Sequence, residues 1–237
     1  MAQLLSSQNL LVSSGPLTVG VINDSVTLQQ FIAQTPQERS DACSVAELRL
    51  DEIDLAPSDV REAIDGIQFP FLLAARHPAE GGKAPEDPAA RAQMIETVLE
   101  RAALIDIELR SAPSMTGLLQ KARLAGVGVV GSFHDFTATP TEQVLRGAVD
   151  FAQQSGLDAV KIATFLNQSD DLTLLMKLLT QQPGRLRLSV MGMGPLGRVS
   201  RLVLAKCGSL LNYGYLGSSN APGQWPAARL KSLLSEI

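Results

Sequence analysis

Two residues in this chain combine a reactive side chain with an apolar, strand-like setting. In Asp158-Ala159-Val160-Lys161-Ile162-Ala163-Thr164 a lysine stands between two β-branched residues, in a run whose composition suits a buried strand. Its ammonium cannot easily reach solvent from there, so burial favours the neutral amine, which is the form that attacks a carbonyl. An ion pair with an inward carboxylate such as Glu108 is the structural alternative. In Val129-Val130-Gly131-Ser132-Phe133-His134-Asp135-Phe136, one of the chain's two histidines stands at the end of an apolar strand. An imidazole in that position can take and return a proton near neutral pH, or can be a packed, hydrogen-bonded core residue.

Further charged groups recur at the ends of apolar runs. Glu47 and Arg49 in Glu47-Leu48-Arg49-Leu50-Asp51 share one face of a strand by period-2 alternation, and their cost of burial calls for a structural ion pair or a polar ligand. Arg76 leads into His77-Pro78-Ala79-Glu80-Gly81-Gly82, read as a mobile turn that presents a guanidinium and a carboxylate. Asp106 and Glu108 share a face in Asp106-Ile107-Glu108-Leu109 and are expected to orient another polar group. The glycine-rich Met191–Arg201 segment opens a helix and suggests an anion site, with Arg201 one turn in as a carboxylate ligand. Ser218, Ser219, Asn220 and Gln224 near the end offer hydroxyls and amides for substrate hydroxyls or for a helix cap.

Positioning these groups together requires a fold that gathers strand ends. Eight short apolar runs are present: 17–22, 44–50, 69–76, 104–109, 126–133, 159–163, 186–191 and 209–215. Segments of helical periodicity lie between them, at 27–33, 58–64, 88–102, 115–124, 141–154, 170–179, 199–205 and 225–235. Asp87-Pro88 and Thr139-Pro140 mark helix starts, and Gly156 and Gly184 mark stops. Repeated βα units of about 30 residues predict a single-domain (β/α)8 TIM barrel, whose reactive groups stand at the C-terminal ends of the strands. A doubly wound open sheet is the alternative. Residues 1–15 read as an N-terminal extension and residues 16–237 as the barrel.

With 20 Lys and Arg against 24 Asp and Glu, the net charge is -4, and no window is basic enough to track nucleic acid. Cys43 and Cys207 stand alone without metal-ligand or CxxC spacing, so neither a metal site nor a disulfide framework is expected and a reducing cytoplasm is the simpler setting. No stretch approaches the roughly 20 apolar residues of a membrane span, and the first residues lack the basic and apolar regions of a signal peptide.

In order, ELRLD, RHPAEGG, DIELR, SFHDF, VKIA, MGMGPLGRVSR and NAPGQ resemble the successive strand-end motifs of the type I 3-dehydroquinate dehydratase family, from about the first strand to the last helix. The resemblance implies that Lys161 forms the imine, that His134 transfers protons and that Glu80 is the acid near the histidine. It implies substrate contacts at Glu47, Arg49, Arg76, Arg201, Ser219, Asn220 and Gln224. The family's last motif usually reads SAPGQ, and here Asn220 takes the place of the serine. A homodimer is implied by the family alone.

The implied reaction is a syn dehydration of 3-dehydroquinate to 3-dehydroshikimate in the shikimate route to aromatic amino acids. The lysine is itself the electron sink, so no metal or diffusible cofactor is needed. Two other readings remain at this point: an aldolase-type Schiff-base barrel on a phosphorylated sugar, and a barrel that binds a metabolite without catalysis.

Overall fold

The computed structural model describes residues 7–181, 186–219 and 221–237. Its strands are β1 (Leu17–Ile22), β2 (Val45–Arg49), β3 (Phe71–Ala74), β4 (Ala102–Glu108), β5 (Gly128–Asp135), β6 (Ala159–Phe165), β7 (Arg187–Met193) and β8 (Leu211–Tyr215). Its α-helices are α1 (Ser7–Leu11), α2 (Ser25–Ala33), α3 (Pro36–Ala42), α4 (Pro57–Ala63), α5 (Pro88–Val98), α6 (Thr116–Leu124), α7 (Glu142–Gln154), α8 (Ser169–Thr180), α9 (Gly197–Lys206) and α10 (Ala227–Glu236). Each strand forms where its apolar run lies, with ends displaced by no more than two residues.

All strand pairs are parallel, in the order β7-β6-β5-β4-β3-β2-β1-β8. Pairing of β1 with β8, from Leu17 opposite Leu211 to Val21 opposite Tyr215, excludes an open doubly wound sheet. Between β7 and β8 serine hydroxyls replace part of the ladder. Leu210 N donates to Leu188 O at 2.8 Å, Leu211 N donates to Ser189 Oγ at 3.0 Å, and Ser209 Oγ accepts from Val190 N and donates to Val190 O. The architecture is a (β/α)8 barrel.

Alternation divides the core in two. Leu48, Leu73, Ile105, Val129, Ile162 and Val190 face the helices, and Val45, Leu72, Leu104, Val130, Ala159 and Leu211 fill the barrel. Burial on both faces is why the strands read as continuous apolar runs. Burying each valine, leucine or isoleucine among them contributes about 1.5–3 kcal/mol.

Two helices had no counterpart in the periodicity. In α1, Leu10 joins the interior cluster at 1% exposure and Ser7 Oγ donates to Gly126 O at 2.6 Å. In α3, Thr35 Oγ1 accepts from Glu38 N at 3.2 Å while Glu38 Oε2 accepts from Thr35 N at 2.7 Å, a capping box on a helix too short and polar to show an apolar stripe. Gly156 ends α7 with φ 65°, whereas Gly184 lies outside the described residues. Among the described residues no helix is long and apolar enough to cross a membrane.

Candidate active site

Parallel register stacks the inward residues in layers towards the C-terminal end of the barrel. Lys161 stands opposite Ser132 of β5 and Ser189 of β7, and Glu47 stands opposite Val21 and Leu72. His134 follows Ser132 by two residues on β5, so the imidazole lies one layer nearer the mouth than the amine.

Lys161 is 6% exposed. Its Nζ lies 3.2 Å from Asp106 Oδ2, 3.7 Å from Glu47 Oε1 and 4.0 Å from the centroid of the Tyr213 ring. The carboxylate it meets is therefore not Glu108. Glu108 Oε1 accepts from His77 N at 2.8 Å and from Arg76 Nη1 at 3.3 Å.

Arg76 is turned into the barrel wall. Its Nη2 pairs with Asp106 Oδ2 at 2.8 Å and its Nη1 donates to Ser132 Oγ, which in turn donates to Asp106 Oδ1 at 2.6 Å. Burial opposes the charge on Asp106, but Arg76 and Lys161 overcome it and hold the carboxyl well below the usual range. One carboxylate thereby orients both the strand-three guanidinium and the strand-six amine.

The segment after β3 is more ordered than the mobile turn its composition suggests. Pro78–Glu80 forms a turn of 3-10 helix ended by Gly81 at φ 78°. Ala84 N donates to Arg76 O at 3.2 Å, Gly82 N donates to His77 O at 3.1 Å, and Arg91 Nη1 donates to the carbonyls of Pro85 and Glu86. A Cβ on Gly82 would stand 1.9 Å from Arg76 O, so the backbone closes on itself only with glycine there. This turn delivers Glu80 to His134: Nδ1 and Glu80 Oε2 are 2.8 Å apart, and the His134 backbone N donates to the same oxygen at 3.1 Å. Phe136 stacks on the imidazole at 6.1 Å and 13°.

Arg49 is held by a bidentate contact to Asp51, Nε to Oδ1 at 2.9 Å and Nη2 to Oδ2 at 2.8 Å, and also meets Glu52. Arg201, 2% exposed on α9, donates to Tyr213 O at 2.9 Å and Gly223 O at 3.3 Å. It has no carboxylate partner among the described residues, and burial alone pushes its guanidinium down to about 10. Such a cation is prepared for an external anion.

The glycine-rich segment does not form the anion cradle that its composition suggests. Gly192 N donates to Ser200 Oγ at 3.1 Å, Gly194 N to Pro222 O at 3.3 Å and Gly197 N to Gly194 O at 2.9 Å. Its glycines serve close packing instead: a Cβ on Gly197 would stand 3.0 Å from Gly223 Cα. The sequence signal was misleading because the same glycine spacing permits either a phosphate or a second loop to approach the backbone.

A cavity opens at this end of the barrel, lined by Glu47, Arg49, Arg76, Glu80, His134, Lys161, Arg201 and Gln224 and walled by Met191, Met193, Phe136 and Tyr213. Asp106 and Glu108 lie behind Arg76 and outside that lining. Ser219 is exposed, donates to Ala221 O at 3.0 Å and to Gln224 Oε1 at 3.4 Å, and does not line the cavity. Asn220 lies outside the described residues. Tyr213 and Asp51 belong to the site and were not singled out from sequence, although alternation within Leu211–Tyr215 and the acid two residues after Arg49 were available signals. The arrangement can do carbonyl chemistry: an amine nucleophile, an imidazole backed by a carboxylate, and an unpaired guanidinium face one small space.

Comparison with known proteins agrees with this geometry. The model of the type I 3-dehydroquinase family matches residues 24–237. The chain is 31% identical to a catabolic 3-dehydroquinate dehydratase of Acinetobacter baylyi, over 97% of this chain and 89% of that protein. It is 30% identical to a 3-dehydroquinate dehydratase of Thermodesulfovibrio yellowstonii, over 91% of this chain and 92% of that protein. Crystal structures of 3-dehydroquinate dehydratases share the fold. That from Geobacillus kaustophilus superimposes with a TM-score of 0.82 at 22% identity, covering 94% of this chain and 91% of that one. That from Aquifex aeolicus gives 0.80 at 25% identity, covering 93% and 98%. On the extent of the family match and of its relatives, this chain belongs to the type I 3-dehydroquinase family.

Proposed function

We propose that this protein dehydrates 3-dehydroquinate to 3-dehydroshikimate through an imine on Lys161, with His134 moving the protons. The observation that carries the reading is the placement of the Lys161 amine beneath an imidazole whose Nδ1 is engaged by Glu80. With Nδ1 as the donor to the carboxylate, Nε2 keeps its lone pair for a substrate proton.

The neutral form of Lys161 adds to the ketone carbon, and the former carbonyl oxygen takes one proton from the amine nitrogen and one from solvent and leaves as water, giving a protonated imine. His134 Nε2 takes a proton from the adjacent carbon, and the electrons of that C–H bond form an enamine. The enamine then expels the hydroxyl, which takes the proton back from the imidazolium and departs as water. Hydrolysis of the conjugated imine frees the amine. One imidazole serving both steps requires proton and hydroxyl to leave from one face, hence syn elimination.

Arg201 holds the substrate carboxylate, which is bonded to the carbon that loses the hydroxyl, and so fixes that carbon relative to His134. Glu47, Arg49, Arg76 and Gln224 face the ring hydroxyls from the cavity wall, the family resemblance adds Ser219 and Asn220 as substrate contacts, and Asp106 and Glu108 orient the two basic side chains. The domain reading is an N-terminal extension over residues 1–15 followed by the barrel. A homodimer in the cytoplasm, serving the shikimate pathway, completes the reading and rests on the family.

Incubation with 3-dehydroquinate followed by borohydride reduction and peptide mapping tests the covalent step: a substrate-derived adduct on Lys161 is the expected result. Absence of that adduct in an active enzyme overturns the mechanism. The aldolase-type reading on a phosphorylated sugar is disfavoured by the internal use of the Gly192, Gly194 and Gly197 amides. Turnover of the substrate separates the proposal from a barrel that only binds a metabolite.

A further inference from the structure

Tyr213, which the reaction above does not use, lies across the cavity wall beside the nucleophile. It is 2% exposed, Lys161 Nζ stands 4.0 Å from its ring centroid, and its hydroxyl has no hydrogen-bond partner among the described residues. On the same amine, Glu47 Oε1 stands 3.7 Å from Nζ and is likewise buried without a hydrogen-bond partner. A buried donor and a buried acceptor left open around one amine are unfavourable to keep, and phenylalanine would fill the space of the ring without the open donor. Burial, with the charges of Glu47 and Asp106, pushes the phenol well above its ordinary value, so the hydroxyl keeps its proton and acts as a donor.

We propose that Tyr213 is a specificity-determining residue whose hydroxyl, together with Glu47 Oε1, holds one substrate hydroxyl on the carbon adjacent to the one that bonds Lys161. The inference rests on the imine chemistry proposed for Lys161. An alcohol is the group that fills both open positions at once, accepting from the phenol and donating to the carboxylate. Because the two open atoms belong to side chains that touch Nζ, the group they hold lies next to the new C–N bond. The substrate ketone has a hydroxyl on one neighbouring carbon and removable protons on the other. Gripping the first therefore turns the second towards His134.

The test compares kcat/KM of the wild type and Y213F on 3-dehydroquinate and on its 4-deoxy analogue, with borohydride trapping and melting temperature measured alongside. The wild type is expected to prefer the hydroxylated substrate by about tenfold to a hundredfold. In Y213F that preference is expected to collapse through loss of activity on 3-dehydroquinate, with activity on the analogue kept and the melting temperature unchanged or raised. Undiminished preference in Y213F overturns the role of Tyr213, and so does equal use of the two substrates by the wild type, a result that does not depend on the variant folding. Failure to trap an adduct on Lys161 in the active wild type would instead overturn the imine reading beneath it.

Discussion

His134 Nδ1 and Glu80 Oε2 lie 2.8 Å apart, and that same oxygen also accepts the His134 backbone N–H at 3.1 Å. Burial pushes Glu80 up to about 7, against Arg76 and with the help of Glu108 and Asp106. Burial and the Arg76 and Lys161 cations push His134 well below its ordinary value. Only the ionised Glu80 carboxylate stabilises the imidazolium that forms when His134 takes the substrate proton. Activity is therefore expected to rise as pH increases through about 7, and E80Q to lose this limb together with about tenfold to a hundredfold in kcat. A pH profile for E80Q that retains the limb would contradict the assignment.

For stability the same group acts in the opposite direction. A carboxyl whose folded value lies above its ordinary 4.5 contributes fully below that pH, and the contribution is lost as pH rises through about 7. Urea denaturation of E80Q should thus show it gaining on the wild type between pH 4 and pH 8, by about 1–3 kcal/mol. An unchanged difference across that range would sink the idea.

Removing the amine should separate chemistry from binding. K161A is expected to bind 3-dehydroquinate by calorimetry and to turn over none of it. H134A is expected to trap the imine on Lys161 while kcat falls by about 10²- to 10⁴-fold. Near-normal turnover in either variant is the outcome that refutes the roles given to them.

Arg201 has hydrogen bonds to two carbonyls and no acidic partner among the described residues. R201A should raise KM at least about tenfold with a smaller effect on kcat, because the contact to a carboxylate persists from ground state to transition state. A fall confined to kcat would move Arg201 from holding the substrate to the reacting centre.

The turn after β3 depends on Gly82, where a Cβ would stand 1.9 Å from Arg76 O. G82A is expected to cost about 2 kcal/mol or more in stability and to lower kcat by displacing Glu80 from His134. Chemical denaturation with parallel kinetics measures both, and a fully active, fully stable G82A would show that the turn has room to spare.

Alternation and local chemistry were sufficient to read the eight strands, because a strand buried on both faces leaves an uninterrupted apolar run whatever its neighbours are. They also singled out Lys161 and His134, since a reactive side chain in an apolar strand is conspicuous from its immediate neighbours. Helices α1 and α3 escaped the reading. The first is stabilised by packing Leu10 into the barrel and the second by a capping box, so neither needs an apolar stripe.

The tertiary structure alone decided which charges meet. Asp106, rather than Glu108, reaches Lys161, Arg76 turns into the wall while Arg201 is left without an acid among the described residues, and the glycine-rich loop packs on another loop. Those outcomes depend on the register between strands far apart in sequence and on whole-loop conformation. A long side chain can choose among several carboxylates within reach, and only the assembled barrel sets the distances.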